Sequence, residues 1–294
     1  MVIQNVFSNV ELNKLLNYSE VGYLKEIIHE LSLLPTFDEF LWYIYFKRTS
    51  ESDIHLPSKF VNKNTILFIV GDESDYIPLN YLMMVRATFK TYLAKEDYEK
   101  QLFYLPVGPN PNIAEYKVCP IDGRKWNVFF SGNLHKGRKK LYQYFTGAYL
   151  IPFSILHRLR FLFGSNFSNK FKPSYIMFTN SFQSGLSFDD YSKYLYDSKI
   201  VLCPPGNPGT ETMRHFEALR AGCVVISEEL PRIKFFENSP IIIVQNWKSL
   251  NEIVMNIASD SGRLKERMRM TLQWWENYGA APAVAKSIMQ KITK

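Results

Sequence analysis

The chain has 294 residues, 46% hydrophobic and 15% aromatic, which excludes a disordered segment and suffices for one large or two modest domains. Its 35 basic and 28 acidic residues leave a formal charge of +7, which favours anionic partners such as nucleotides. Apart from Lys136, Arg138, Lys139 and Lys140 the basic residues are scattered, which argues against a long nucleic-acid track.

In chain order, the first residues, MVIQNVFSNVELNK, lack the basic start and apolar core of a signal peptide, and no apolar run reaches the ~18 residues of a membrane span. A soluble, cytoplasmic protein of a cell or a host cytosol is expected. Residues 1 to 60 read as mainly helical, with VGYLKEIIHELSLL apolar at helical spacing, while FLWYIYF at 40–46 fits helix or strand. NTILFIVGDESDY reads as a buried parallel strand and loop, YLMMVRATFKTYL as a helix, and QLFYLPVG as a second strand. The Pro-rich LPVGPNPNIAEYKVCPIDG predicts a domain boundary near residue 120. After it the spacing predicts strands in WNVFFSGNL, SYIMFTN, KIVLCP, CVVIS and PIIIVQNW. Helices are predicted in KGRKKLYQYFTGAYL, ILHRLRFLF, FDDYSKYLYDS, the segment after residue 210, and from about Ser249. This alternation indicates a doubly wound α/β sheet. Three segments are expected: 1–120, 121–270, and a terminal helical piece, 271–294, bracing the two. Cys119, Cys203 and Cys223 are odd in number and far apart, and read as reduced, buried small hydrophobes.

The segment PPGNPGTETMRHFEALRAGC, residues 204–223, carries the chemistry. Thr210 is a suitable N-cap, Glu211 suits the helix dipole, and Gly222 fits the C′ position, so a helix is predicted over 211–221. Its start lies at the carboxyl end of a parallel strand, where open α/β sheets bind ligands and a phosphate is favoured. Gly206 and Gly209 let backbone approach a bulky anion. Arg214 and Glu217, three apart, share a helix face: the arginine is placed to fork onto phosphate oxygens and the glutamate, further along, to accept from ribose hydroxyls. Spacing alone equally allows an exposed ion pair. Neither a P-loop nor a GxGxxG fingerprint is present.

YSKYLYDSKIVLCPPGNPGTETMRHFEALRAGCVVIS resembles the nucleotide-sugar-binding segment of exostosin-like glycosyltransferases, through Ser198, Lys199, Cys203, Pro204, Gly206, Arg214, Glu217, Ala218, Leu219, Gly222 and Cys223. VFFSGNL…GRKKL and IIIVQNWKSLNEIV resemble the flanking strands and helices of that domain, so the similarity covers about residues 126 to 260. The resemblance implies a GT-B architecture: two Rossmann-like doubly wound domains facing a cleft, the N-terminal one reduced. It also implies sugar transfer from a UDP-sugar to a glycan or glycoprotein hydroxyl, by an inverting single displacement with no metal or other cofactor. The chain departs from the family at Val224 and Val225, where proline is frequent, and in its NPGTETM loop. A short member resembles the xylosyltransferases of large algal viruses, which points to UDP-xylose.

Without a metal site, cations must stabilise the diphosphate leaving group. Arg214 is the first choice, with the N–H groups near Thr210; Arg138 is second and Arg158 third. The base should follow an N-terminal strand, and GDESDY offers Asp72, then Asp75, then Glu73. Helix capping is the alternative for the aspartates, and core packing for Trp247, Trp274 and Trp275. A retaining transferase and a non-catalytic nucleotide-sugar or glycan-binding module are the rival readings.

Overall fold

Strand runs that are apolar at consecutive positions need cover on both faces, and both sheets of this protein are parallel throughout. The computed structural model of the chain describes residues 5–15, 18–48, 51, 53–74, 76–181, 184–206, 209 and 211–293. It divides into two units: Met1–Pro111 with Pro231–Glu237 and Glu276–Lys294, and Asn112–Leu230 with Asn238–Trp275.

The first unit holds β1 (Val6–Ser8), β2 (Leu41–Phe46), β3 (Thr65–Val70), β4 (Ala87–Lys90) and β5 (Leu102–Tyr104), parallel neighbours in that order. Phe68, Phe89 and Phe103 stand opposite one another in register, and with Trp42 their rings form a ladder at 5.3–5.9 Å across four strands. The helices here are α1 (Leu12–Leu15), α2 (Ser19–Ser32) and α3 (Leu79–Leu82). Val21, Leu24, Ile27, Ile28 and Leu31 line one face of α2 and join the same core as the aromatic ladder.

The second unit holds β6 (Trp126–Asn133), β7 (Ser174–Thr179), β8 (Ser198–Cys203), β9 (Val224–Ser227) and β10 (Ile242–Ile243). Their spatial order, β10-β9-β8-β6-β7, reverses direction between β6 and β8. That reversal is the switch point at which doubly wound sheets open a crevice. Helices α4 (Lys139–Thr146), α5 (Phe153–Arg158), α6 (Arg160–Phe163), α7 (Phe188–Tyr196), α8 (Met213–Arg220), α9 (Leu250–Ala258) and α10 (Ser261–Trp274) alternate with these strands. The chain then returns to the first unit through α11 (Ala281–Ile292), whose Val284, Ala285, Ile288 and Met289 are buried in the first core.

Several expectations are corrected. The first 60 residues contain strands β1 and β2 besides helix α2. YLMMVRATFKTYL is a single helical turn followed by strand β4, because Ala87–Lys90 are all buried between β3 and β5. The division falls after Pro111 rather than near 120, and the terminal helix packs into the first core. The strand order of the first sheet is monotonic, so only the second has a switch point. Cys203 and Cys223 are buried free thiols, but Cys119 is exposed. Trp247 and Trp274 are buried, and the indole N–H of Trp247 donates to Glu228 at 2.7 Å.

Candidate functional site

Strand β6 ends in Ser131-Gly132-Asn133, and its apolar residues Phe129 and Phe130 are fully buried. The small residues at the strand end leave room for two arginines. A β-carbon on Gly132 would lie 2.5 Å from Nη1 of Arg138 and 3.0 Å from Nη2 of Arg214, so both guanidinium groups rest on this glycine. Both also stand over the Phe130 ring, at 5.8 Å and 4.9 Å from its centroid.

Arg138 is buried on the turn that leads into α4, and its Nη1 donates to the carbonyl and side-chain oxygens of Asn133 at 2.7 and 2.8 Å. Its Nε has no hydrogen-bond partner among the described residues. Arg214 reaches from the first turn of α8: Nη2 donates to the Ser131 carbonyl and Nε to the Tyr191 hydroxyl, while Nη1 has no hydrogen-bond partner among the described residues. No ion pair is formed by either guanidinium among the described residues. Burial and the neighbouring Arg214 push Arg138 down to about 9, and burial beside both arginines pushes His135 down to about 4. These shifts describe a desolvated place in which Arg138 and His135 feel a surplus of positive charge, while Arg214, lowered by burial but raised more by Tyr191, Cys203 and Glu217, is held above its ordinary value.

Glu217 is buried on α8, and the Tyr191 hydroxyl donates to its Oε2 at 2.9 Å. Tyr191 of α7 thus links Arg214 to Glu217. Burial, with Glu217 adding to it, pushes the phenol well above its ordinary value. The exposed ion pair allowed by spacing is therefore not what forms: Arg214 and Glu217 share a buried face and are joined through a third residue.

The loop after β8 closes the site from the other side of the switch point. A β-carbon on Gly137 would lie 2.3 Å from the Gly206 carbonyl oxygen and 3.2 Å from that of Pro205, so the two loops meet backbone to backbone. Gly206 itself packs near Gly209 and the Thr212 methyl group. Thr210 lies outside the described residues, and the observed cap is Thr212, so α8 starts at Met213 rather than at 211. Glu211 precedes the cap and is buried. The reason is His215: its Nδ1 accepts from the Thr212 backbone N–H at 3.1 Å, and its Nε2 bonds the Ser227 hydroxyl at 2.8 Å. The acceptor role of Nδ1 places the proton on Nε2, and burial pushes the ring down to about 3, so His215 is a neutral clasp between α8 and β9. Gly222, with a φ of 67°, ends the helix as expected.

Arg158 makes no hydrogen bond or ion pair among the described residues. It is exposed and lines a cavity of about 350 Å³ with Leu134, Tyr142, Arg160, Phe161 and Asn180. Asp72, in the first unit, is fully buried at the end of β3. Its two oxygens lie 3.5 Å from the Nζ atoms of the buried Lys47 and Lys90. Ser74 donates to Oδ1 through its backbone N–H and its hydroxyl. Glu73 is exposed, and Asp75 lies outside the described residues. Asp72 holds three strand ends together as the centre of an ion cluster; to act as a base it would have to be uncovered and released by both lysines. Sequence reasoning missed Tyr191, Gly132, Gly137 and His215. Gly132 and Gly137 lie within SGNLHKGR, and their close contacts to Arg214 and to the Pro205-Gly206 backbone are invisible in the local sequence.

Two Rossmann-like parallel-sheet units make this the fold of GT-B glycosyltransferases. The RXYLT1 C-terminal domain family matches residues 171–293, less than half of the chain, and this segment contains Tyr191, Arg214 and Glu217. A glycosyltransferase structure from Rickettsia africae is similar with a TM-score of 0.52 and 10% identity, over 98% of this chain and 89% of that one. HepE from Anabaena in complex with UDP is similar with a TM-score of 0.49 and 11% identity, over 92% and 76%. Sucrose-phosphate synthase from Thermosynechococcus elongatus follows at 0.47 and 12%, over 96% and 79%. No curated protein matches by sequence. Among the described residues, no helix is long and apolar enough to cross a membrane.

Proposed function

We propose that the protein is a glycosyltransferase that takes its sugar from a nucleotide diphosphate donor, with the diphosphate held between Arg138 and Arg214. The observation that carries this reading is the pair of buried guanidinium groups on Gly132, each with an unfilled N–H and neither in an ion pair among the described residues. Like charges in a desolvated site repel, so a bound dianion both neutralises the pair and fills the open donors. The same groups are placed to take up charge as the sugar–phosphate bond breaks, which is where such stabilisation accelerates transfer. Tyr191 and Glu217 extend the site along α8 and offer an acceptor for ribose hydroxyls.

The donor we assign is a UDP-sugar, with UDP-xylose as the first choice; the family match over 171–293 supports that direction. Transfer by inversion to a glycan hydroxyl, without a metal, is the reaction this arrangement suits, because two guanidinium groups do the work of a divalent cation. We read Asp72 as structural rather than as the base.

A thermal-shift and calorimetric series of UDP-, GDP- and dTDP-sugars tests the proposal. UDP-sugars are expected to raise the Tm and to bind with EDTA present. The absence of a shift with every nucleotide sugar would refute the donor site, and product anomeric configuration decides between inversion and retention.

A further inference from the structure

A second feature of the second unit is not used by the donor site. The segment around α5 and α6 exposes Leu150 (97%), Phe161 (74%) and Leu162 (66%), with Tyr149, Ile155 and Leu159 also exposed. These side chains contribute nothing to the core, which α5 reaches through Leu156. Chains seldom leave that much aliphatic and aromatic surface together without a partner.

The charge around the patch identifies the partner. Residues 123–188, a run of 66, contain no Asp or Glu and ten Lys or Arg, so the remainder of the chain is net acidic. Of these ten, Lys125, Lys136, Arg158, Lys170 and Lys172 are exposed, and so is Lys140, which is paired with Glu228 at 2.8 Å. Arg158 stands within the apolar patch itself, and the exposed Lys248 lies 5.0 Å from the Tyr149 ring centroid. An apolar centre with Arg158 and Lys248 beside it, on a stretch of chain without Asp or Glu, is complementary to an anionic bilayer: aliphatic side chains enter the headgroup boundary while the cations meet lipid phosphates. A nucleic-acid surface is disfavoured, because leucine and isoleucine at the centre offer nothing to a phosphate backbone. A second copy of the chain is disfavoured because the same cations would face each other.

We infer that the α5–α6 face, residues 149–163, docks the protein peripherally on an anionic lipid surface. The two signals are both needed, since a few apolar side chains or a few cations alone give only marginal, reversible attachment.

Co-sedimentation of the whole protein with phosphatidylcholine vesicles, with and without phosphatidylglycerol, tests the inference. Binding is expected to the anionic vesicles only and to weaken with salt. Leu150→Asn with Leu162→Asn is expected to lower partitioning on the order of tenfold or more, with Tm and UDP-induced shift retained. Charge removal at Lys170→Gln with Lys172→Gln is expected to lower it by a smaller factor. Failure of the parent protein to bind anionic vesicles at low salt would overturn the inference. So would equal binding by the Leu150/Leu162 variant, tighter binding to oligonucleotides than to vesicles, or concentration-dependent dimerisation abolished by the same two substitutions.

Discussion

Replacing Arg138 by methionine separates stability from ligand binding. The charged guanidinium is pushed well below its ordinary value, down to about 9, by burial and by Arg214. At ~1.4 kcal/mol per pH unit, that gap corresponds to about 5 kcal/mol of penalty on the charged form. The two hydrogen bonds to Asn133 oppose it by roughly 1.5 kcal/mol each. Arg138→Met keeps the stem packing and removes both terms, so the ligand-free protein should gain about 1–3 kcal/mol, a rise in Tm of a few degrees. Donor binding should move in the opposite direction. Losing one of two buried charged contacts to a diphosphate costs about 2–5 kcal/mol, or roughly 30-fold or more in Kd. Saturating UDP, at about 100 times the parent's Kd, adds about 2.7 kcal/mol to the parent protein and about 0.9 kcal/mol or less to the variant. The two melting curves should therefore approach each other or exchange order when UDP is added, as read by differential scanning calorimetry at fixed ionic strength. A variant that binds UDP as tightly as the parent would refute the assignment of Arg138. A variant that melts several degrees lower without ligand would refute the account of buried repulsion.

Other consequences can be checked independently. Gly132→Ala places a methyl group against both guanidinium groups and should abolish the UDP-induced Tm shift while the circular dichroism spectrum stays that of the parent; an unchanged Kd would show that the arginines bind nothing at this glycine. Asp72→Asn leaves Lys47 and Lys90 buried without their carboxylate and should destabilise the protein by about 3–5 kcal/mol in urea titration. Full stability with turnover lowered by orders of magnitude would instead make Asp72 a base. His215 and His135 are held near 3 and 4, below the unfolded value of 6.5, so their contribution is fully present above about pH 6.5. It is lost as the pH falls toward 4, because the unfolded chain takes up protons first. A urea series from pH 7 to 4 should show this loss, and His215→Gln should flatten it. Tyr191→Phe removes the link between Arg214 and Glu217 and should weaken UDP binding roughly tenfold by calorimetry, with a Tm change of only a few degrees.

Local chemistry made much of this protein readable from its residues alone. Apolar runs such as TILFIV and KIVLCP are strands because every position in a covered parallel sheet is buried. Gly222 ends α8 because a left-handed residue is needed there. Arg214 and Glu217 fall on one helix face because three residues nearly complete a turn. Other features depend on parts of the chain far apart in sequence. ATFK became a strand because β3 and β5 enclose it, which no local spacing reports. Thr212 rather than the expected Thr210 caps α8 because His215 is clasped by Ser227 on β9. Asp72 is covered because strands β2 and β4 bring Lys47 and Lys90 to it. Above all, Arg138 and Arg214 are 76 positions apart in the sequence and meet over one glycine only because β6 and β8 are neighbours at the switch point of the second sheet. Sequence spacing determines which groups share a turn or a face; the long-range strand order determines which charges are brought together out of water.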